Sequence, residues 1–419
     1  MINHRNNCRG CHSANVMKVI SLGDSALAGG FIHKEDIPKE RKFPLEVYFC
    51  KDCSLVQLLD LVPPDVLFKD YRYLSSVSNT MKNHFIDYAK ALKEKYSLTN
   101  DSLVVEFGSN DGVLLKPLQD IGVKCLGVEP AANIAKVAME RGLDVIVDYF
   151  SESLAKEIIK KYGKADIITG NNVFAHIDDI DGVMNAVVSL LKDDGSYVFQ
   201  VHYLVDLIQK MQYDTIYHEH FCYYSVKALQ TLMERFGMEI FHVDRVSLHE
   251  GSIRVHAKKI SSRKNNVDET VAGLIKLEES LGLFSEKAYM DFEKKMQKSR
   301  KDLVDMLVRL KKEGKKLVGY GAPGRGTTLV NYCKIDSKLL DYTTDESPER
   351  VGRVMPGTHI PIIHVSKFRE DSKMPDYALM LAWSYKKEIL GKEKTFLEKG
   401  GKFIVPLPSI QVISSKDAL

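Results

Sequence analysis

The stretch Leu103-Val104-Val105-Glu106-Phe107-Gly108-Ser109-Asn110-Asp111-Gly112 opens as an apolar strand, meets an acid near its end, and turns on two glycines toward a helical pattern. A strand, loop and helix in this order belong to an open α/β sheet, which binds ligands at the carboxyl ends of its strands. Gly108 and Gly112 let the backbone close around a small charged ligand, with Glu106, Asn110 and Asp111 as its polar edge. The dinucleotide fingerprint is not met here, because the third glycine is missing. Working outward, apolar runs at 125–128, 145–147, 167–169 and 197–201 alternate with amphipathic stretches. That alternation predicts a parallel sheet covered on both faces. Runs at 238–243 and 253–257, joined by a short link, predict a closing antiparallel hairpin.

The motif at Glu106–Gly112 resembles the first motif of class I methyltransferases, whose loop holds the methionine part of S-adenosylmethionine. Gly127-Val128-Glu129-Pro130 then ends a second strand in an acid about twenty residues on. Glu129 is placed to accept hydrogen bonds from both ribose hydroxyls. Asp148 and Phe150 follow the third strand toward the adenine, and Asn171 and Asn172 open the reacting face. Capping of the next helix is the plain alternative for both asparagines.

The rest of the chain divides by pattern. Residues 1–70 hold paired cysteines and turn formers and predict a small metal-organised module; 71–260 form the sheet domain. Within 261–312 a long amphipathic helix is predicted from the spacing of Tyr289, Phe292, Met296, Leu303, Leu307 and Leu310. Runs at 316–320, 339–343, 377–381 and 402–405 predict a second, smaller Rossmann-like α/β unit over 313–419.

Lys and Arg number 59 against 56 acids across 419 residues, a formal charge of +3 spread along the chain. This argues against nucleic acid or an anionic membrane as the main partner. No run reaches the length of a membrane span and no secretory signal pattern is present, so a cytoplasmic protein, monomeric or a small homo-oligomer, is expected. Of seven cysteines, Cys8, Cys11, Cys50 and Cys53 form two Cys-x-x-Cys pairs with 38 residues between them. Two such turns face to face supply the four-thiolate cage that zinc prefers, with no open position, so the metal is expected to be structural.

Tyr217-His218-Glu219-His220-Phe221 packs proton-handling groups too densely to be buried without partners. Extended geometry would put His218 and His220 on one face and Tyr217 and Glu219 on the other. A second metal site and a satisfied structural network are the rival readings. Methyl transfer to carbon gives a chemical reason for the cluster: a carbon beside a ketone must first lose a proton, and the enolate needs donors. An imidazole can take that proton, an acid can hold its tautomer, and a tyrosine hydroxyl can stabilise the oxyanion.

The Cys-x-x-Cys pairs, Tyr71-Arg72-Tyr73-Leu74-Ser75-Ser76, Glu106–Gly112, Asn172-Val173-Phe174-Ala175-His176, Tyr217–His220, His249-Glu250-Gly251-Ser252-Ile253-Arg254 and the loop 319–326 occur in one order. That order resembles the nucleotide-sugar C-methyltransferase family, typified by enzymes that methylate carbon 3 of dTDP-4-keto-deoxysugars. The resemblance spans essentially the whole chain. It implies that His220 is the base, with Tyr217, Glu219, His176 and Tyr71 lining the sugar pocket, and a nucleotide-sugar as the substrate. Glu250 departs from the family, which usually carries a second glycine there.

Gly319-Tyr320-Gly321-Ala322-Pro323-Gly324 satisfies G-x-G-x-x-G after a predicted strand, with Asp345 some twenty residues on, which read alone proposes an NAD-linked sugar-nucleotide oxidoreductase. The resemblance implies instead a loop that helps hold the nucleotide-sugar. Gly324 and Gly326 would then donate to its diphosphate, with Arg325 or Arg254 as charge partner. A tight structural turn is the plain alternative. An RNA methyltransferase with a zinc ribbon is a further reading; it needs clustered Lys and Arg with aromatic platforms, and this chain has one tryptophan and near-balanced charge.

Overall fold

The computed structural model describes residues 3–63, 74–77, 79–370 and 373–417. Its centre is a seven-stranded sheet of β1 (Leu103–Phe107), β2 (Lys124–Val128), β3 (Val145–Ile146), β4 (Ala165–Asn171), β5 (Leu191–His202), β6 (Met238–Val246) and β7 (Ser252–Lys259). The spatial order is β6-β7-β5-β4-β1-β2-β3. Strands β1 to β5 are parallel, whereas β7 runs antiparallel to both β5 and β6, the expected closing hairpin. The chain progresses outward from β1 to β3 and resumes on the other side with β4, which makes the β1/β4 boundary the switch point where such sheets bind ligands.

Near-continuous apolar runs are what two covered faces require, because successive strand residues point to opposite sides. Val104, Ile167 and Val198 meet Met81, Phe85, Tyr88 and Leu92 of helix α1 (Asn79–Tyr96). Their neighbours Val105, Ile168 and Phe199 meet Leu154, Ile158, Val183 and Val187 from the two helices on the opposite face. Those two helices begin where the sequence supplies an oxygen cap: Ser151 accepts from Leu154 N–H, and Asp179 from Gly182 N–H.

The N-terminal module is not closed on itself. Its antiparallel strands Val16–Ser25, Phe43–Cys50 and Val56–Leu58 are completed by Cys222–Tyr223 from the middle of the chain. Arg9, almost fully buried, joins the two units further: it donates to the Asp178 carboxylate (3.0 Å) and to the Leu58 carbonyl (3.0 Å). The expected boundary near residue 70 and the candidate residue Tyr71 lie outside the described residues.

Helix α2 (Glu286–Lys312) buries all six of the expected apolar positions. They belong to one core shared by the N-terminal strands and the C-terminal unit, so the connector is itself the packing centre of both ends. The C-terminal sheet has parallel strands Leu317–Tyr320, Tyr377–Met380 and Lys402–Val405, closed by antiparallel Gln411–Ile413. The strand expected at 339–343 instead begins at Thr343 and pairs with Ile362–His364. The reason is Asp336: its side chain accepts from Lys338 N–H and its carbonyl from Leu339 and Leu340, which winds 336–340 into a turn.

Candidate active site

At the switch point the loop after β1 runs through three left-handed residues, Gly108 (φ 62°), Asn110 (49°) and Gly112 (78°). Gly108 is required twice over, since a Cβ there would lie 2.7 Å from a Val173 methyl. Glu129, at the end of β2, accepts from Asn110 N–H (2.9 Å) and Ala131 N–H (2.9 Å), which locks loop and strand end together. Asn110 also turns its side-chain oxygen to Ser75 N–H. Asp111 leaves one carboxylate oxygen, Oδ1, without a protein partner, while its other oxygen is held within the fold. It is fully buried, accepts from the Ser76 hydroxyl and lies 3.4 Å from Arg141, so it fastens the segment before α1 to the loop.

Beneath the loop lies a buried polar group. Glu106 accepts from the Asn171 amide (2.9 Å), and burial pushes its carboxyl up to about 8. Arg254 lies 3.6 Å from the centre of the Tyr88 ring and donates to Gln200, which also contacts His84. Among the described residues, Glu106 Oε2, Ser109 Oγ, Asn171 Oδ1, Gln200 Nε2 and Arg254 Nε are buried with no protein partner. Each such atom costs on the order of 1–3 kcal/mol, and their gathering around one switch point is what a polar ligand would relieve. Two expected residues behave differently. Phe150 stacks on Phe107 (4.9 Å, 8°) as core, and Asp148 is exposed and accepts from Tyr149 N–H. Asn172, in the left-handed region, donates its N–H to the Gln200 carbonyl and so shapes the turn after β4.

The segment 217–220 is a turn, not the expected extended strand: His220 N–H donates to the Tyr217 carbonyl (2.9 Å). The turn brings the Tyr217 and His220 rings to 4.0 Å and sets His176 edge-on to His220 at 4.9 Å. His218 is thereby sent elsewhere, buried against the carbonyls of Phe43 and Pro44 at 3.3 and 3.2 Å. His220 Nδ1 lies 2.8 Å from the Thr215 carbonyl. A carbonyl only accepts, so Nδ1 carries a proton, and in the neutral ring the lone pair falls on Nε2. Thr215, missed in the sequence, fixes the tautomer in place of Glu219. Glu219 faces Gly29 of the N-terminal module instead, its carboxyl raised to about 7 by burial, while burial holds the His176 imidazole down to about 4. Phe221 N–H donates to the Ala175 carbonyl, tying the turn to the segment that leaves β4. Among the described residues neither His218 nor His220 belongs to a three-ligand cluster, against a metal site in this motif.

Cys8, Cys11, Cys50 and Cys53 converge as expected, their sulfurs all within 4.8 Å of one another. Gly10 N–H and the Gln57 amide donate to Cys8 sulfur, as thiolate ligands require, and the neighbouring Cys50 and Cys53 thiols pull the Cys8 thiol far below its ordinary value.

In the C-terminal unit Gly324 and Gly326 start helix α3 (Gly324–Cys333). Arg325 is committed to Asp214, donating from Nε (3.1 Å) and Nη2 (2.9 Å), and lies over the Trp383 ring. Arg254 draws on a separate set of partners, so the two arginines do not form one anion site. Asp345, which an NAD reading puts on ribose, accepts from Ala322 N–H of the loop itself and pairs with Arg350. A Cβ on Gly324 would touch Ala28 of the N-terminal module, so the start of α3 is faced by protein.

The strand order, the loop–acid lock at Glu129 and the polar group below it define a class I methyltransferase fold with a four-cysteine module and a second sheet domain. Family models agree across the chain: a zinc binding domain over residues 8–68, a methyltransferase domain over 81–243 and a C-methyltransferase C-terminal domain over 247–408. The chain is 37% identical over 413 residues to the C-methyltransferase NovU of Streptomyces niveus, covering 98% of both. The chain belongs to this C-methyltransferase family. More distantly, 96 residues are 29% identical to a ubiquinone biosynthesis O-methyltransferase of Bartonella bacilliformis, covering 22% of this chain and 38% of that one. Magnesium protoporphyrin IX methyltransferase of Synechocystis, solved with bound cofactor, aligns over 42% of this chain and 79% of its own at 14% identity and a TM-score of 0.33. Among the described residues no helix is long and apolar enough to cross a membrane.

Proposed function

We propose that this S-adenosylmethionine-dependent C-methyltransferase acts on a nucleotide-linked 4-keto-deoxysugar, at the carbon beside the ketone, carbon 3. The observation that carries the reading is the fixed tautomer of His220: an imidazole with its lone pair on Nε2, braced by Tyr217 and His176 rings, suits removal of a carbon-bound proton.

The cradle fits the cofactor. Glu129 offers carboxylate oxygens to the ribose hydroxyls, and the unpaired Glu106 and Asn171 oxygens suit the ammonium of its methionine end. When bound, S-adenosylmethionine supplies an electrophilic methyl group. The four cysteines fit zinc, which would brace the module that His218 and Cys222 dock on.

His220 Nε2 takes the proton from carbon 3, and the electron pair moves toward the ketone oxygen. The Tyr217 hydroxyl donates to that oxygen as charge grows. His176, held neutral by burial, adds no competing positive charge beside the base. The oxidoreductase reading would require a ribose to share the Asp345 carboxylate with Ala322 N–H and the Arg350 guanidinium.

The test is mass spectrometry of a panel of nucleotide-sugars incubated with isotopically labelled S-adenosylmethionine. A methyl gain on a dTDP-4-keto-deoxysugar at carbon 3 is expected. Gain only on sugars lacking the ketone, or on none of the panel, would overturn the proposal.

A further inference from the structure

The β6–β7 hairpin carries a second group of metal-type side chains. The group reaches α1 at Tyr96, and Arg254, which lies over the Tyr88 ring, is the cross-strand partner of Asp244. His242 on β6 is directly opposite His256 on β7, and Asp244 is two residues on, on the same face as His242. His242 Nε2 lies 2.9 Å from one Asp244 oxygen and His256 Nε2 lies 2.9 Å from the other. Both imidazoles thus aim the same nitrogen at one carboxylate, their rings 5.1 Å apart.

The other nitrogen of each ring is also held. His242 Nδ1 meets the Asp268 carboxylate, and His256 Nδ1 meets the Tyr96 hydroxyl at 2.6 Å. This is the pattern of metal-binding histidines, whose far nitrogen is oriented by a carboxylate or another oxygen. It also poses a proton problem. His242 stands between two carboxylates, and a neutral imidazole has one proton to give, so one contact would set lone pair against lone pair. A cation at Nε2 removes the conflict.

We propose that His242, Asp244 and His256 form a second divalent-metal site, distinct from the four cysteines, with a fourth position open to water. Two nitrogens and a carboxylate suit zinc or cobalt, whereas magnesium and calcium take oxygen ligands. Tetrahedral ligands at zinc distances stand about 3.3 Å apart; the two 2.9 Å contacts, each to a different Asp244 oxygen, would open by a few tenths of an ångström, and the donor atoms all lie within 4.8 Å of one another. Asp244 and Asp268 are each two-fifths exposed, which gives the ion an entry path. Through Tyr96 the site would clamp the end of α1 to the hairpin. Lys95 lies within electrostatic reach of Asp244 and Arg254 is opposite it across the hairpin, so an incoming metal must share the carboxylate with two cations.

The test is metal stoichiometry of the full chain, saturated with zinc and then dialysed against zinc-free buffer. Two equivalents per chain are expected for the native protein and one for His242→Gln or Asp244→Asn. The equivalent that remains on the cysteines reports that each variant is folded. Asp268→Asn should keep two sites but weaken one by about 10- to 100-fold. Cobalt substitution separates the two spectroscopically, since only the cysteine site gives intense thiolate charge-transfer bands. A native chain that holds one equivalent, all of it on the cysteines, would overturn the proposal.

Discussion

His220 is placed by three backbone contacts that no pattern in the sequence announces: its own N–H to Tyr217, its Nδ1 to Thr215, and the next N–H to Ala175. The residue was legible because Tyr, His, Glu and His at adjacent positions are chemically conspicuous; its tautomer was not, because Thr215 looks like any loop threonine. His220→Ala should lower turnover by about 10²- to 10⁴-fold, the usual share of a general base, while titration with S-adenosylmethionine gives an unchanged affinity. Glu106 makes a second prediction. With its carboxyl near 8, it holds a proton at pH 7, and an ammonium beside it favours the charged form. Cofactor binding should therefore release a proton, and affinity should rise as pH rises toward 8. Calorimetry in buffers of different ionisation enthalpy checks this, and Glu106→Gln should abolish the release. Glu250 occupies a left-handed backbone position at φ 67°, which explains the family's glycine there. Glu250→Gly should raise stability by about 1 kcal/mol, read as a higher melting temperature. Asp111 and Phe150 show what spacing cannot: residues next to a ligand-binding loop also hold it in place, and the direction a side chain takes is not written in the pattern.

At the scale of elements, alternating runs gave away every strand of the central sheet, because two-sided burial leaves a plain apolar signature. What they could not show was that Cys222–Tyr223, two residues long, leaves that domain to complete the N-terminal sheet. A strand that short has no periodicity to read. Its consequence is mechanical: Val56 begins three residues after Cys53, pairs with Tyr223, and so links the metal turn to the strand that follows His220. Stripping the cysteine-bound zinc should therefore cost turnover before it costs cofactor binding, since β1 and β2 take no part in the module's sheet. Turnover and S-adenosylmethionine affinity measured against zinc content separate the two. Full activity in zinc-free protein would show that the module does not position the turn.

At the scale of the whole molecule, the middle and C-terminal units are joined through one buried carboxylate. Asp214 has no exposed surface and accepts from Arg325 and from the Trp383 indole at 2.7 Å, both in the C-terminal unit. Arg325 was read from its glycine loop as a phosphate partner because the sequence shows what a residue can bind, not which partner reaches it first. Arg325→Met leaves Asp214 short of its counter-charge and should cost about 3–5 kcal/mol, measured by denaturant unfolding, with Asp214→Asn in the same chain recovering part of it. The faces that meet here come from residues more than a hundred apart, so the three-unit arrangement was legible only as a count of domains. The account's central claim concerns one proton. Incubated in deuterated water with S-adenosylhomocysteine and a dTDP-4-keto-deoxysugar that it methylates, the native chain should exchange the hydrogen on carbon 3 for deuterium, and His220→Ala should not. Exchange at an undiminished rate in the variant, or no exchange beyond the uncatalysed rate in the native protein, would contradict it.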